Sequence, residues 1–497
     1  MKRLTRKEFL QSSLTVAGAA LLARPRLAAA IAAPGSPNGD VRVAIVGCGW
    51  KGGSHIDDFR QLPGVKVAAI CDVDRNLLAQ RAADFAKRGE KVTTQVDLRR
   101  VLDDPSIDAI VVATPNHWHA LATIWACQAG KDVYVEKPVS HNVWEGRREV
   151  EAAVKYGRIV QAGTQSRSAE ELQRAVAYVR SGALGRILWA RGLCYKPRAS
   201  IGKTSGPQPV PAGLDYDLWS GPAPLVPPRR NTPEHGTVHY DWHWFWNYGG
   251  GDVANQGVHQ MDICRWFLGQ EGLPPAVCSL GGRFGYDDDA QTPNTLVSVL
   301  AYEPAPIFFE VRGLPHQAGE KAMDAYRGIR IGVVIQCEGG YFAAGESGGG
   351  FVYDNEGKKL QQFTGPGGGG HQANFIAAVR SRKPADLNAP LEGGHVSSAL
   401  CHLANISYRL GRATGETPIR EALAARAQES DAFARMQDHL RMNGLDVNTT
   451  PVVNGPLLAL EAGRERFVSR EPFDLGFWAN ELLRRAYRPP FVVPEVV

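Results

Sequence analysis

Several features are missing from this 497-residue sequence, and each absence removes a class of function. Its eight cysteines are scattered and form no C-x-x-C pair, which argues against a disulfide framework. Cys48 and Cys71 read as small apolar fillers. No run of Lys or Arg with interleaved aromatics occurs, and a net charge of +5 is small for this length, so no nucleic-acid partner is expected. Beyond the N-terminal segment no stretch reaches 18 uninterrupted apolar residues, so no membrane span is expected in the mature protein. Internal repeats are also absent.

What is present begins with a processing signal. Lys2, Arg3, Arg6 and Lys7 precede an apolar run, Leu14 to Ala23, and small-residue sites at Ala28-Ala29-Ala30 and Ala30-Ile31-Ala32. Residues 1–33 are therefore expected to be an export signal and 34–40 a linker. Thr5-Arg6-Lys7-Glu8-Phe9-Leu10 resembles a twin-arginine signal with Lys7 in the second arginine's place, and this predicts a periplasmic protein exported already folded.

From residue 41 apolar runs alternate with helical periodicity. Strands are predicted at Val41–Val46, Val65–Ile70, Ile107–Ala113, Asp132–Val135 and Ile159–Ala162. Helices are predicted from about Ser54, over Arg75–Lys87, His119–Ala129 and Val143–Lys155. Strands apolar almost throughout indicate an α/β parallel sheet covered on both faces over residues 41–164. Residues 165–415 change pattern. A helix (Glu170–Ser181) and a strand (Ile187–Leu193) precede a Pro/Gly- and aromatic-rich stretch at 196–251. Alternating segments Thr295–Tyr302, Ile307–Val311 and Ile329–Cys337 follow, which predicts an α+β domain with a largely antiparallel sheet. Gly339–Gly350 and Gly365–Gly370 read as loops, and 371–382 and 395–411 as helices. Residues 416–497 read as a polar, helical extension.

Chemistry concentrates in a few places. Gly47-Cys48-Gly49-Trp50-Lys51-Gly52 follows a strand and precedes a helix, and Asp72 lies at the next strand end. Gly47, Gly49 and Gly52 permit a tight turn with backbone N–H groups on a pyrophosphate, beside Trp50. Asp72 accepts from ribose hydroxyls and repels a 2′-phosphate, which predicts NAD rather than NADP, with Arg75 as the contrary feature. His239, Asp241 and His243 alternate, which suits either a metal site or an aromatic sugar platform; no metal is expected.

Three further segments carry a resemblance: Ala113-Thr114-Pro115-Asn116-His117-Trp118-His119, Glu136-Lys137-Pro138, and Gly249-Gly250-Gly251-Asp252 through Asn255-Gln256-Gly257-Val258-His259-Gln260-Met261-Asp262. In this order, after a Rossmann start, residues 41–411 closely resemble the Gfo/Idh/MocA oxidoreductases. The resemblance implies a Rossmann domain, an open-faced antiparallel sheet that serves dimer or tetramer contacts, and sugar or polyol substrates. It implies proton transfer by Lys137 and His259, and Pro138, part of the same motif, is expected in a strained or cis turn. Thr114, Pro115, Asn116, His119 and Glu136 are expected around the cofactor. Arg167, Tyr195, Lys196, Trp242, Asn255 and Asp262 are expected around the substrate. The usual aspartate four residues before the histidine is Asn255 here, so His259 is expected to be a weaker base. Two rivals stand beside an NAD-dependent oxidoreductase: an NAD-retaining glycosidase or epimerase with an internal redox cycle, and a non-catalytic sugar-binding protein.

Overall fold

The computed structural model describes residues 39–229, 236, 238–346 and 349–497. The expected export signal (1–33) and most of the 34–40 linker lie outside these. A first sheet runs in the order β3-β2-β1-β4-β5-β6 and is parallel throughout. Its strands are β1 (Val41–Val46), β2 (Val65–Cys71), β3 (Thr93–Gln95), β4 (Ala109–Val112), β5 (Asp132–Val135) and β6 (Val160–Ala162). Connecting helices are α1 (Trp50–Arg60), α2 (Arg75–Lys87), α3 (Leu98–Leu102), α4 (Asn116–Gln128) and α5 (Val143–Lys155). Strand order reverses between β1 and β4, and open α/β sheets bind ligands outside the carboxyl ends at such a point. The register places Val46 beside both Cys71 and Val112, and Val112 beside Val135. The residues after β1, β2, β4 and β5 thus emerge along one edge.

Two expectations need correction here. Helix α1 starts at Trp50, four residues before the predicted Ser54, because Gly52 and Gly53 mask a helical turn held by tertiary packing. Strand β3 was not expected at all.

After α6 (Glu170–Arg180), the second sheet runs β14-β13-β12-β11-β7-β10-β9-β8-β16-β15, with β17 also on β8. Its strands are β7 (Ile187–Tyr195), β8 (Ala276–Gly282), β9 (Thr295–Leu300), β10 (Ile307–Arg312), β11 (Ile331–Cys337), β12 (Gly340–Gly345), β13 (Gly350–Tyr353), β14 (Lys359–Phe363), β15 (Arg412–Thr414), β16 (Val452–Asn454) and β17 (Leu458–Ala459). All pairs are antiparallel except β7 with β10. Strand β12 corrects the loop expected at Gly339–Gly350. Gly340 sits at φ +152, and a Cβ there would lie 2.1 Å from Tyr353 O, so its glycines mark close strand approach rather than a loop.

Between the sheets' loops stand α7 (Tyr216–Ser220), α8 (Gly251–Asn255) and α9 (Gly257–Leu268), and one face of the second sheet carries α9 and α11 (Leu391–Arg409). Val258, Met261 and Phe267 of α9 meet Ile307, Phe309 and Val333 in the main core. Helix α10 (His371–Ser381) lies instead against the first sheet, where Phe375 meets Phe59 and Tyr134 edge-on. The extension is not purely helical. Besides α12 (Glu416–Leu423), α13 (Ala427–Met442) and α14 (Leu475–Glu481), it adds β16 and β17 to the β8 edge. Ile419, Phe433, Met436 and Leu440 cover Leu280 and Val297 on the outer face, and Phe491 packs on Trp118 of α4.

Candidate active site

The aligned strand ends open into a chamber of about 1070 Å³, which the second sheet and residues 214–263 close from the other side. Each glycine of the first loop has a separate reason to be there. Gly47 has φ +86, and a Cβ would lie 2.7 Å from the Ala113 carbonyl carbon. A Cβ on Gly52 would lie 1.8 Å from Gly47 O, so this residue lets the helix meet the turn. A Cβ on Gly49 would meet nothing within 4 Å, so no protein atom explains that glycine; its open side is where a ligand backbone approaches. Gly49 caps α1 without a side-chain bond, leaving first-turn N–H groups and the positive helix end for an anion. Trp50 stands beside this position, 87% exposed.

Asp72 lies on the chamber wall past β2, where its carboxylate accepts from Cys48 N–H (2.7 Å) and Asp74 N–H (2.9 Å). Burial raises its pKa against the pull of those two bonds. Asp97 joins Asp72 on this wall; Arg75 does not, so the acidic end favours ribose hydroxyls over a 2′-phosphate. Loop, helix terminus and acidic wall all fit a bound NAD.

At the other end, Glu136 follows β5. Its Oε1 accepts from His55 Nε2 (2.9 Å) and faces Lys51 Nζ (3.5 Å), and its Oε2 accepts from Lys137 N–H (3.2 Å). Burial alone would raise its pKa. The His55 bond and the neighbouring positive charges outweigh burial and hold the carboxyl well below its ordinary range. The Lys137-Pro138 peptide is cis, one of the two forms expected for this turn. Lys137 Nζ donates to Asn255 O (2.8 Å) and Asn255 Oδ1 (3.3 Å) at the end of α8. Its pKa is lowered by burial first, then by the charges of Lys51 and Lys196. His259, in the first turn of α9, faces the same chamber, and burial, with Lys137's charge, pushes its pKa down to about 3. Lys137, Asn255 and His259 therefore converge, with Lys196 and Trp242 on the surrounding wall beside Thr114, Pro115 and Asn116.

Other expected site residues lie elsewhere. Arg167 and Asp262 form a two-pronged ion pair (2.8 and 2.8 Å) outside the chamber lining. Ser397 Oγ donates to Asp262 (2.7 Å), and the Arg167 guanidinium lies over Trp266. They tie the segment before α6 to α9. Tyr195 is 1% exposed and donates from its hydroxyl to Glu310 (2.5 Å), because strand alternation sends it behind the sheet while Lys196 enters the chamber. His119 reaches the wall, but its ring nitrogens face Pro138 O (2.6 Å) and Thr114 O (2.8 Å), so it braces the two loops. The segment 239–243 is not extended. His239 pairs with Asp74 (2.9 Å), Asp241–Trp244 form a 3-10 turn, and His243 Nδ1 donates to Tyr240 O (2.6 Å). No metal-binding group of His, Cys, Asp and Glu occurs among the described residues.

Sequence reasoning passed over Lys51, His55 and Arg198. The first two are four apart, hence on one face of α1, a signal legible in hindsight. Arg198, which grips Asp252 (2.8 and 2.5 Å) beside the chamber, had none.

Residues 41–164 match the model of an oxidoreductase family's NAD-binding Rossmann fold, and residues 179–295 match that family's C-terminal α/β domain. Inositol 2-dehydrogenase 2 of Saccharopolyspora erythraea is 27% identical over 233 residues, 46% of this chain and 55% of that protein. A glycosyl hydrolase family 109 protein of Shewanella sp. (strain W3-18-1) is 29% identical over 153 residues, 30% of this chain and 33% of that protein. The chain thus spans about half the length, or less, of these curated relatives. The WlbA dehydrogenase of Bordetella pertussis, solved with NADH and UDP-GlcNAcA, shares the fold with a TM-score of 0.54 at 21% identity, over 74% of this chain and 97% of that one. Residues 41–164 and 179–295 thus match, domain by domain, the Gfo/Idh/MocA oxidoreductase family, whose N-terminal domain is an NAD-binding Rossmann fold.

Proposed function

We propose that the protein is an NAD-dependent oxidoreductase that interconverts a secondary alcohol and a ketone on a sugar, polyol or derivative. The observation that carries this reading is the convergence of Lys137, Asn255 and His259 in the chamber that the Gly47–Gly52 loop opens into. NAD, when bound, supplies the hydride acceptor or donor. Asn255 O and Oδ1 aim Lys137 Nζ, and a lysine of lowered pKa takes the hydroxyl proton as an amine and returns it as an ammonium in reduction. His259 stays neutral, so it holds and orients the hydroxyl rather than storing the proton. Trp242 and Trp219 line the chamber around these residues and present apolar surface beside them.

The test is a sugar and polyol panel read by absorbance of the reduced cofactor, followed by pH profiles of kcat/KM for the alcohol that reacts. Oxidation rises with pH through one limb below the ordinary lysine range of about 10.4, with no imidazole limb near about 6.5. Lys137→Met lowers turnover by about a hundredfold or more and removes the limb, while His259→Asn keeps it. A limb lost only in His259→Asn makes the histidine the base; full activity in Lys137→Met overturns the lysine's role.

A second reading draws on the glycosyl hydrolase relative and on the export expected from residues 1–33. A protein that keeps NAD after folding and oxidises, eliminates or epimerises, and re-reduces its substrate would act as a glycosidase or epimerase. Cleavage of an aryl glycoside without net NADH, with the cofactor retained on a desalting column, selects this reading. Stoichiometric NADH excludes it.

A further inference from the structure

Besides Lys51, two lysines bring their charges into this chamber, and the proton chemistry above uses one of them. The other, Lys196, follows the last residue of β7 and is half-buried on the same wall. The remaining cations have partners: Lys51 faces Glu136 (3.5 Å), and Arg198 holds Asp252 through two bonds (2.8 and 2.5 Å). Lys137 rests on the neutral Asn255 carbonyl. Lys196 Nζ has no carboxylate or carbonyl within bonding reach among the described residues. Glu346, another carboxylate on this wall, is exposed and pairs with neither lysine. Among the described residues Lys196 is therefore the chamber cation that no carboxylate or carbonyl bonds. Lys137 senses this, since Lys196's charge helps to lower its pKa.

An ammonium withdrawn from water without a counter-ion is unfavourable, and an anion that meets it there gains a charge-assisted bond in a low-dielectric setting. A neutral sugar hydroxyl would leave the charge uncompensated. The oxidised nicotinamide ring is itself positive, which sharpens the requirement. We infer that the substrate carries a carboxylate held by Lys196, so that the enzyme acts on a sugar acid or its glycoside rather than on a neutral sugar. This specificity rests on the oxidoreductase reading of the chamber.

The test uses the full protein loaded with NADH, whose fluorescence first reports cofactor binding. D-Glucuronate, D-galacturonate and D-gluconate are then titrated against the methyl esters of the two uronates and neutral D-glucose, with wild type, Lys196→Met and Lys196→Arg. The expected result is that at least one acid binds about tenfold or more tightly than its uncharged counterpart, with a gap that narrows as salt rises. The gap closes in Lys196→Met, is kept in Lys196→Arg, and both variants still bind NADH. Equal binding of acid and ester, a gap that survives in Lys196→Met, or NADH-loaded protein that takes none of the acids overturns the inference. A protein that binds no NADH overturns the preceding reading instead.

Discussion

Gly49 and Gly52 are two glycines of one motif with opposite reasons for lacking a side chain. A methyl at 52 collides with Gly47 O, whereas a methyl at 49 enters open space that the cofactor fits. Gly52→Ala is therefore expected to destabilise the protein by about 2 kcal/mol or more, since backbone meets backbone and neither yields easily. Gly49→Ala should leave the melting temperature unchanged but weaken NADH binding about tenfold or more. Calorimetry and a fluorescence titration on the two variants separate these outcomes, and equal melting losses would contradict the assignment. Asp72 illustrates what was readable at this scale. A carboxylate at a second strand end was legible from spacing, but its grip on Cys48 N–H was not, because that contact depends on how two loops meet.

Among elements, β1, β2, β4 and β5 were legible because strands buried on both faces are written as runs apolar almost throughout. Strand β3 is an edge strand of Thr93, Thr94 and Gln95, mostly exposed, and leaves no such trace. Helix α9 shows a subtler failure. Periodicity puts His259 and Asp262 on one face, yet three residues turn a helix by about 300°, leaving Asp262 about 60° aside. That angle takes it out of the chamber and into the Arg167 pair. Arg167→Ala takes the two-pronged partner from a buried carboxylate, leaving it Ser397 and Arg265 (3.6 Å), and is expected to cost up to about 3 kcal/mol of stability, read by denaturant unfolding. Its KM should change less than about twofold. A large rise in KM with intact stability would return Arg167 to the substrate site.

Across both sheets, burial lowers the pKa of eight histidines. His117, His243 and His259 are pushed down to about 3 and His371 and His402 to about 4, with His119, His141 and His439 also lowered. As pH falls below about 6.5 the unfolded chain takes up protons that these folded sites bind less readily, so stability falls as pH falls. Asp72, Asp132, Glu145 and Glu149 have raised values and act in the opposite sense, but they are four groups against eight. The melting temperature is expected to drop by about 5 °C or more from pH 7 to pH 5. A flat profile in differential scanning calorimetry would show that the acidic groups offset the histidines, contrary to this expectation. Such coupling across both sheets was beyond the sequence, which shows thirteen histidines but not how deeply each is enclosed.

The buried sulfurs carry a consequence of a different kind. All eight cysteines are unpaired and only Cys278 is other than buried; burial pushes every thiol's pKa up, to about 11 for Cys278 and Cys337 and further for the rest. Thiolate is the form that attacks disulfides, peroxide and alkylating reagents, and here it is scarce. Cys48, set in the turn that faces the cofactor's phosphates, is thereby a chemically silent residue. An oxidising surrounding can meet this fold without finding a sulfur to cross-link.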